Sequence, residues 1–260
     1  MQNRTSVTRV TRHALAGRFS AVVAPVLAAL IPLASAAVAQ AEQPSAGLVR
    51  ACEDGDPDEV IASCTVLMQA GSITSGRFSM LLNNRGIGFA KKGYIDLAIG
   101  DFLLSTHLDQ KNALPLNNLC RVWLDKHQGD RAIDACSRSI AIAPERYESY
   151  ANRSLGHLLS GNYPAALADA DRALEINPRC AQTHANRGVL LERLGRIGPA
   201  IEDFERALEI DPDFAWAKEN LLRLKSLRPE ASGAATRVQP GSGDASPEAK
   251  RQIPHLRACA

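Results

Sequence analysis

The chain has 260 residues, 45% of them hydrophobic and 5% aromatic, with 30 basic and 28 acidic side chains. That length allows a sizeable core. Outside the first residues no lysine or arginine cluster forms a phosphate-tracking stripe, which excludes nucleic acid as an expected partner.

Residues 1–41 have the layout of a secretory signal peptide. Arg4, Arg9, Arg12 and Arg18 precede an apolar run from Phe19 to Ala39, and no acidic residue occurs before Glu42. A basic end, an apolar middle and small residues before a cut are the marks of such a segment. Ala39-Gln40-Ala41 before Glu42 is the preferred cleavage site, with Ala37-Val38-Ala39 before Gln40 close behind. Pro25, Pro32 and the many alanines make the run a poor permanent span. The expectation is a periplasmic or secreted protein of a Gram-negative envelope, with no stable membrane anchor after cleavage. The alternative is tethering by an uncleaved N-terminal segment. Without the four arginines the balance becomes 26 basic against 28 acidic, a net charge of −2.

From Ser79 to Phe214 a set of residues recurs every 34 positions. Asn84, Asn118, Asn152 and Asn186 keep that step, as do Ala98, Ala132, Ala166 and Ala200. Leu108, Ile142, Ile176 and Ile210 form a third column, ahead of Gln110, Pro144, Pro178 and Pro212. A fixed step of this size marks stacked helical hairpins, whose units bury their apolar faces only against neighbours. Within a unit, helical spacing runs through one segment such as 181–194 and a second such as 199–210. Gly93, Gly161 and Gly195 fall between the segments, where a left-handed residue closes the first helix, and Pro164 and Pro199 stand where a second helix begins. Asn177-Pro178 and Asp211-Pro212 then end the unit, because the residue before proline leaves helical geometry.

His184-Ala185-Asn186-Arg187-Gly188, followed by Gly195, Ala200-Ile201, Phe204, Ala207 and Asp211-Pro212, resembles a tetratricopeptide repeat (TPR). The copy at 147–180, with Tyr150, Ala166, Ala173 and Pro178, resembles it almost as well. Copies at 79–112 and 113–146 keep phase, although Ser105 and Ser139 replace an alanine, Gln110 a proline and His127 the inter-helix glycine. The resemblance covers 136 of 260 residues. It implies an all-α fold, a right-handed α-solenoid of TPR helical hairpins, with repeats at 79–112, 113–146, 147–180 and 181–214. Upstream, 42–78 reads as a divergent N-terminal hairpin, since Val60-Ile61-Ala62-Ser63-Cys64-Thr65 parallels Ala132-Ile133-Asp134-Ala135-Cys136-Ser137. Downstream, 215–228 reads as an amphipathic capping helix through Trp216, Leu221, Leu224 and Leu227. The Ala-, Gly-, Ser-, Pro- and charge-rich stretch 229–260 reads as a disordered tail.

Among the cysteines, Cys120 stands in the column of Gly86, Ser154 and Gly188, and Cys136 in that of Phe102, Ala170 and Phe204. These columns face each other in a TPR hairpin, so the resemblance implies a Cys120–Cys136 disulfide, with Cys52 and Cys64 pairing similarly in the divergent unit. An oxidising compartment would permit this; buried free thiols are the alternative. Cys180 and Cys259 have no evident mate, and no spacing matches a CxxC redox motif.

No HExxH, GxSxG or phosphate loop occurs, and Gly86-Ile87-Gly88 lies inside a repeat helix, so no enzyme and no cofactor are expected. His157 and His184, on neighbouring first helices, lack a third ligand for a metal. His107, His127 and His255 are isolated. Arg85, Arg153, Arg187, Arg172 and Arg206 lie beside acids such as Asp169, Asp171, Glu202 and Glu205, which fits solvated faces with ion pairs.

The resemblance implies a concave face lined by first helices, where such proteins bind peptides or helices of partners. Asn84, Asn118, Asn152 and Asn186 match the position from which TPR proteins direct an amide at a ligand backbone. An amide donates and accepts together, which suits an extended peptide; equally, these amides could tie one repeat to the next. Asn83, Asn117, Arg121 and Arg193 would face the same groove. Asn83 and Asn117 occupy a slot where carboxylate-clamping TPR domains carry lysine, which argues against that mode of recognition. The expected role is a non-catalytic scaffold or adaptor for a protein or peptide partner. The competing expectations are an envelope enzyme or obligate enzyme subunit, and a disulfide-stapled element that oligomerises through its ends.

Overall fold

Left-handed turns and, at some ends, polar caps cut the chain into helices of 9 to 17 residues. In the computed structural model, residues 45–71 and 73–226 are described. The expected signal peptide and tail lie outside the described residues. The helices are α1 (Ala46–Asp54), α2 (Pro57–Gln69), α3 (Ser75–Lys91), α4 (Ile95–Leu108), α5 (Leu114–Asp125), α6 (Gly129–Ile142), α7 (Tyr147–Leu159), α8 (Tyr163–Ile176), α9 (Ala181–Arg193), α10 (Ile197–Ile210) and α11 (Ala215–Ser226). No strand occurs among the described residues. The fold is an all-α solenoid.

Local chemistry explains the boundaries. Asp56 caps α2 through its side chain, Glu59 returns the bond to the Asp56 N–H, and Pro57 sits in the first turn, a complete capping box. Gly93, Gly161 and Gly195 adopt positive φ values of 79°, 74° and 72° between paired helices. His127 takes the same place at φ 54°, a conformation that strains a residue with a Cβ. At the exits of α4, α8 and α10, the side-chain oxygens of Asp109, Asn177 and Asp211 accept the N–H two residues on, which turns the chain toward the next hairpin.

Helices pair as α1–α2, α3–α4, α5–α6, α7–α8 and α9–α10, and the second helix of each pair packs on the first helix of the next. Consecutive first helices α3, α5, α7 and α9 also touch one another, forming one continuous face. Within each of the four 34-residue repeats the crossing is lined by alanine: Ala98, Ala132, Ala166 and Ala200 are all fully buried. One turn further along, facing positions trade volume. A Cβ on Gly86 would stand 2.7 Å from the Phe102 ring and one on Gly188 3.0 Å from Phe204, whereas the same columns of the 147–180 repeat hold Ser154 and Ala170, the serine hydroxyl donating to the Ala166 carbonyl at 2.7 Å. Where serine replaces alanine, the hydroxyl is satisfied: Ser105 Oγ donates to the Ser79 carbonyl at 2.7 Å and Ser139 Oγ to the Ala113 carbonyl at 3.1 Å. Buried hydroxyls with partners cost little, so the repeat survives the change. At the C-terminal end α11 covers α10, with Ala217, Leu221 and Leu224 buried and Trp216 edge-on to Phe204 at 6.2 Å between ring centroids.

Two substitutions test this packing by thermal unfolding. Gly86→Ala drives a methyl into the Phe102 ring and should cost about 1–3 kcal/mol. His127→Gly relieves the left-handed strain and should stabilise by roughly 0.5–1 kcal/mol.

Candidate interaction face

On the first-helix face the asparagine column divides in two. Asn84 and Asn118 are half-buried, while Asn152 and Asn186 are each only 2% exposed. Asn118 Nδ2 donates to Asn83 Oδ1 at 2.9 Å, and Asn152 Nδ2 donates to Asn117 Oδ1 at 3.0 Å. The two adjacent asparagine columns thus bond to each other across repeats. Asn186 Oδ1 accepts from Gln182 within α9 at 3.0 Å. Asn84 also lines a cavity of about 270 Å³ with Glu53, Asp54, Ile87 and Lys91. Arg121 is exposed on α5, and Arg193 is half-buried in the last turn of α9. One turn ahead of Asn84 and Asn118 stand Met80 and Leu114, both exposed despite being apolar.

Three arginines do more than solvate a surface. Arg85, Arg153 and Arg187 each form a two-pronged pair with an aspartate sixteen residues on, Asp101, Asp169 and Asp203, at 2.7–2.8 Å. Each also reaches the preceding hairpin, at Thr65, Ser137 and Asp171 respectively. These bridges therefore join three helices, and the aspartates are largely buried. The expectation of solvated ion pairs is corrected for these three; it describes Arg172 with Glu175 and Arg206 with Glu209, which are exposed. The signal that could have revealed the difference was the repeated Arg-to-Asp step of sixteen residues. The hydrogen bonds that Arg153 and Arg187 donate to Asp169 and Asp203 raise the pKa values of both arginines.

His184 and His157 join separate pairs. His184 Nδ1 lies 3.1 Å from Asp203 Oδ1, and its Nε2 lies 3.1 Å from the Pro178 carbonyl oxygen. His157 lies 3.7 Å from Asp169, and burial lowers its pKa more than the aspartate raises it. Among the described residues no group of three or more His, Cys, Asp or Glu is placed to hold a metal ion.

The α5–α6 hairpin has no arginine bridge, because Leu119 and Ala135 stand where the other three repeats have arginine and aspartate. In the adjoining columns it carries a disulfide, Cys120–Cys136, with Cα atoms 5.4 Å apart; Cys52–Cys64 joins α1 to α2 at 4.9 Å. The lack of an evident mate for Cys180 is corrected, since Cys180, buried at the start of α9, is also disulfide-bonded. Cys259 lies outside the described residues. Among these residues no helix is long and apolar enough to cross a membrane.

The profile described as "Tetratricopeptide repeat" matches residues 154–229. Solved structures share the stack. MamA aligns at 20% identity over 66% of this chain and 98% of its own, with a TM-score of 0.55. Cut9, from the APC/C hetero-tetramer Cut9-Hcn1, aligns at 21% identity over 67% of this chain and 34% of that one, with a TM-score of 0.59. YrrB, described as a TPR protein with an unusual peptide-binding site, aligns at 18% identity over 63% and 82%, with a TM-score of 0.51. Residues 154–229 match the tetratricopeptide repeat family, and the stack of helical hairpins is shared with solved TPR structures. No curated protein matches this sequence, and these structural likenesses, each below 25% identity, speak to the fold.

Replacing Cys120 and Cys136 together by alanine releases a loop of about sixteen residues and should lower stability by about 3 kcal/mol in the loop-entropy account, read as the shift in denaturant midpoint. Asp203 supplies a pH test. Burial works to raise its pKa, but hydrogen bonds from Arg187 and His184 outweigh burial and hold it below the ordinary 3.8. A folded value below the unfolded one means that the ionised group stabilises the fold above about pH 4 and loses that effect as pH falls through the depressed value. Asp203→Asn should lower the thermal midpoint at neutral pH and flatten its decline between about pH 4 and pH 2.

Proposed function

We propose that this TPR protein is a non-catalytic scaffold that holds an extended peptide or helix of an envelope protein against its first-helix face. One observation carries the reading. Met80 and Leu114 stay exposed a single turn from the half-buried amides of Asn84 and Asn118. Exposed apolar side chains beside amides that can donate and accept suit a peptide, whose side chains need apolar contact while its backbone needs hydrogen bonds. Asn152 and Asn186 are too deeply buried to meet a ligand first, so contact falls on the N-terminal half of the face. Asn83 and Asn117 then act behind the contact, holding Asn118 and Asn152 through the inter-repeat bonds. Arg121 offers an exposed cation beside Asn118, and Arg193 extends the face at its far end. The peptide-binding site named for YrrB supports a peptide as the class of ligand. Two disulfides joining helices within hairpins favour work in an oxidising compartment, in keeping with the signal-like layout of 1–41.

A displayed peptide library panned on the purified protein tests the proposal. Enriched peptides should lose about tenfold or more in affinity to Asn84→Ala/Asn118→Ala, while stability falls by no more than the roughly 1 kcal/mol expected for losing the half-buried Asn118–Asn83 bond. Unchanged affinity in that variant would place binding elsewhere. Asn152→Ala gives the contrast: it removes a buried inter-repeat bond and should cost about 1 kcal/mol of stability.

A further inference from the structure

The inner side of the stack closes toward its C-terminal end. Stepping by 34 residues along the first helices, Met80 and Leu114 are exposed where Glu148 and Gln182 are half-buried, and Arg121 is exposed where Leu155 and Val189 are only 4% and 1% exposed. From Ala181 to Arg193, α9 has no exposed residue. Gln182, Asn186 and Arg193 lie four and seven residues apart on one face of α9. Each has an interaction besides those given for the helices, as does Trp216, which continues the Gln182 column on α11.

Cysteine pairing points to what covers this face. Of the six cysteines, the Cys52–Cys64 and Cys120–Cys136 bonds use four. Cys180 is disulfide-bonded as well, and Cys259 is the one cysteine left in the sequence. The Thr183 hydroxyl lies 2.9 Å from the Cys180 sulfur, and the Thr183 N–H donates to the same atom. Two donors suit a disulfide sulfur, which has no proton of its own to give. At 1% exposure, Cys180 is badly placed to meet its own copy in a second chain.

We propose that Cys180 pairs with Cys259, and that the bond lays the C-terminal segment 227–260 along the inner side of α9 as a strap. Arg223, in the last turn of α11, bonds Glu192, in the last turn of α9, at 2.7 Å, so α11 ends beside the end of α9 remote from Cys180. The chain must therefore return along α9, about 20 Å for its 13 residues. Cys259 stands 33 residues beyond Ser226, a reach of about 110 Å when extended. Because α9 packs on α8 and α10, its inner side is the route left open. There the amides of Gln182 and Asn186 and the Trp216 ring offer hydrogen bonds and apolar contact to an extended segment, and Ile253 and Leu256 bring apolar side chains to its anchored end. Formation joins the two sulfurs and passes two electrons and two protons to a small disulfide such as oxidised glutathione, which leaves as two thiols. The strap covers the C-terminal half of the face and leaves the half with Asn84 and Asn118 open, so it stands or falls separately from the peptide reading.

Tryptic mapping of the oxidised full chain without reductant tests the pairing. Peptides 180–187 and 258–260 should appear as one joined species that reductant separates. Cys180 found as a free thiol, joined to any other cysteine or joined to a second chain overturns the proposal. The path is tested with the photo-crosslinking residue benzoylphenylalanine in place of Gln182. In the oxidised protein it should capture residues 227–260, and Cys259→Ser should lower that yield about tenfold or more, with an unchanged helical spectrum, because the segment loses its tethered concentration. No capture of 227–260 at Gln182, or capture that ignores Cys259→Ser, defeats the strap. So does equally strong capture by the same residue in place of Met80.

Discussion

Everything in the stack depends on how closely the two helices of a hairpin can approach. Alanine at positions 98, 132, 166 and 200, fully buried in each case, brings the backbones together and leaves little room for compensation. Interiors pack at crystal-like density, so the facing pair one turn along must sum to a nearly constant volume. Glycine against phenylalanine, serine against alanine, and cysteine bonded to cysteine are three solutions to that constraint. The recurring phase follows from it, because any unit that slipped by a residue would lose both the small crossing and its matched neighbour.

Between hairpins the contact is both apolar and polar. Arg85, Arg153 and Arg187 each hold an aspartate of their own hairpin and a side chain of the one before. Largely buried and two-pronged, these pairs fix geometry more than exposed ion pairs do. The asparagine amides add a second set of inter-repeat bonds. Repeat proteins derive much of their stability from such nearest-neighbour terms, and here those terms are directional.

The helix-pair architecture was legible because it is encoded in columns: four asparagines, four alanines and the glycine or proline punctuation share one period. Cys120 and Cys136 were legible for the same reason, since alignment with Gly86 and Phe102 placed them on facing helices. What the columns did not disclose was depth. Arg153 beside Asp169 looks the same in sequence as Arg172 beside Glu175, yet one pair is wedged between three helices and the other is in water. Likewise the asparagine column is uniform in sequence, but neighbouring side chains bury Asn152 and Asn186 and leave Asn84 and Asn118 half-open.

Among the four repeats the α5–α6 hairpin is the exception in both directions. Leu119 and Ala135 deprive it of the arginine bridge, and a covalent bond stands in the next column. In a linear array each unit leans on its neighbours, and here the two helices of the unit without an arginine bridge are held to each other by two sulfur atoms. Reduction would therefore loosen the stack first at mid-length, between α1–α4 and α7–α11.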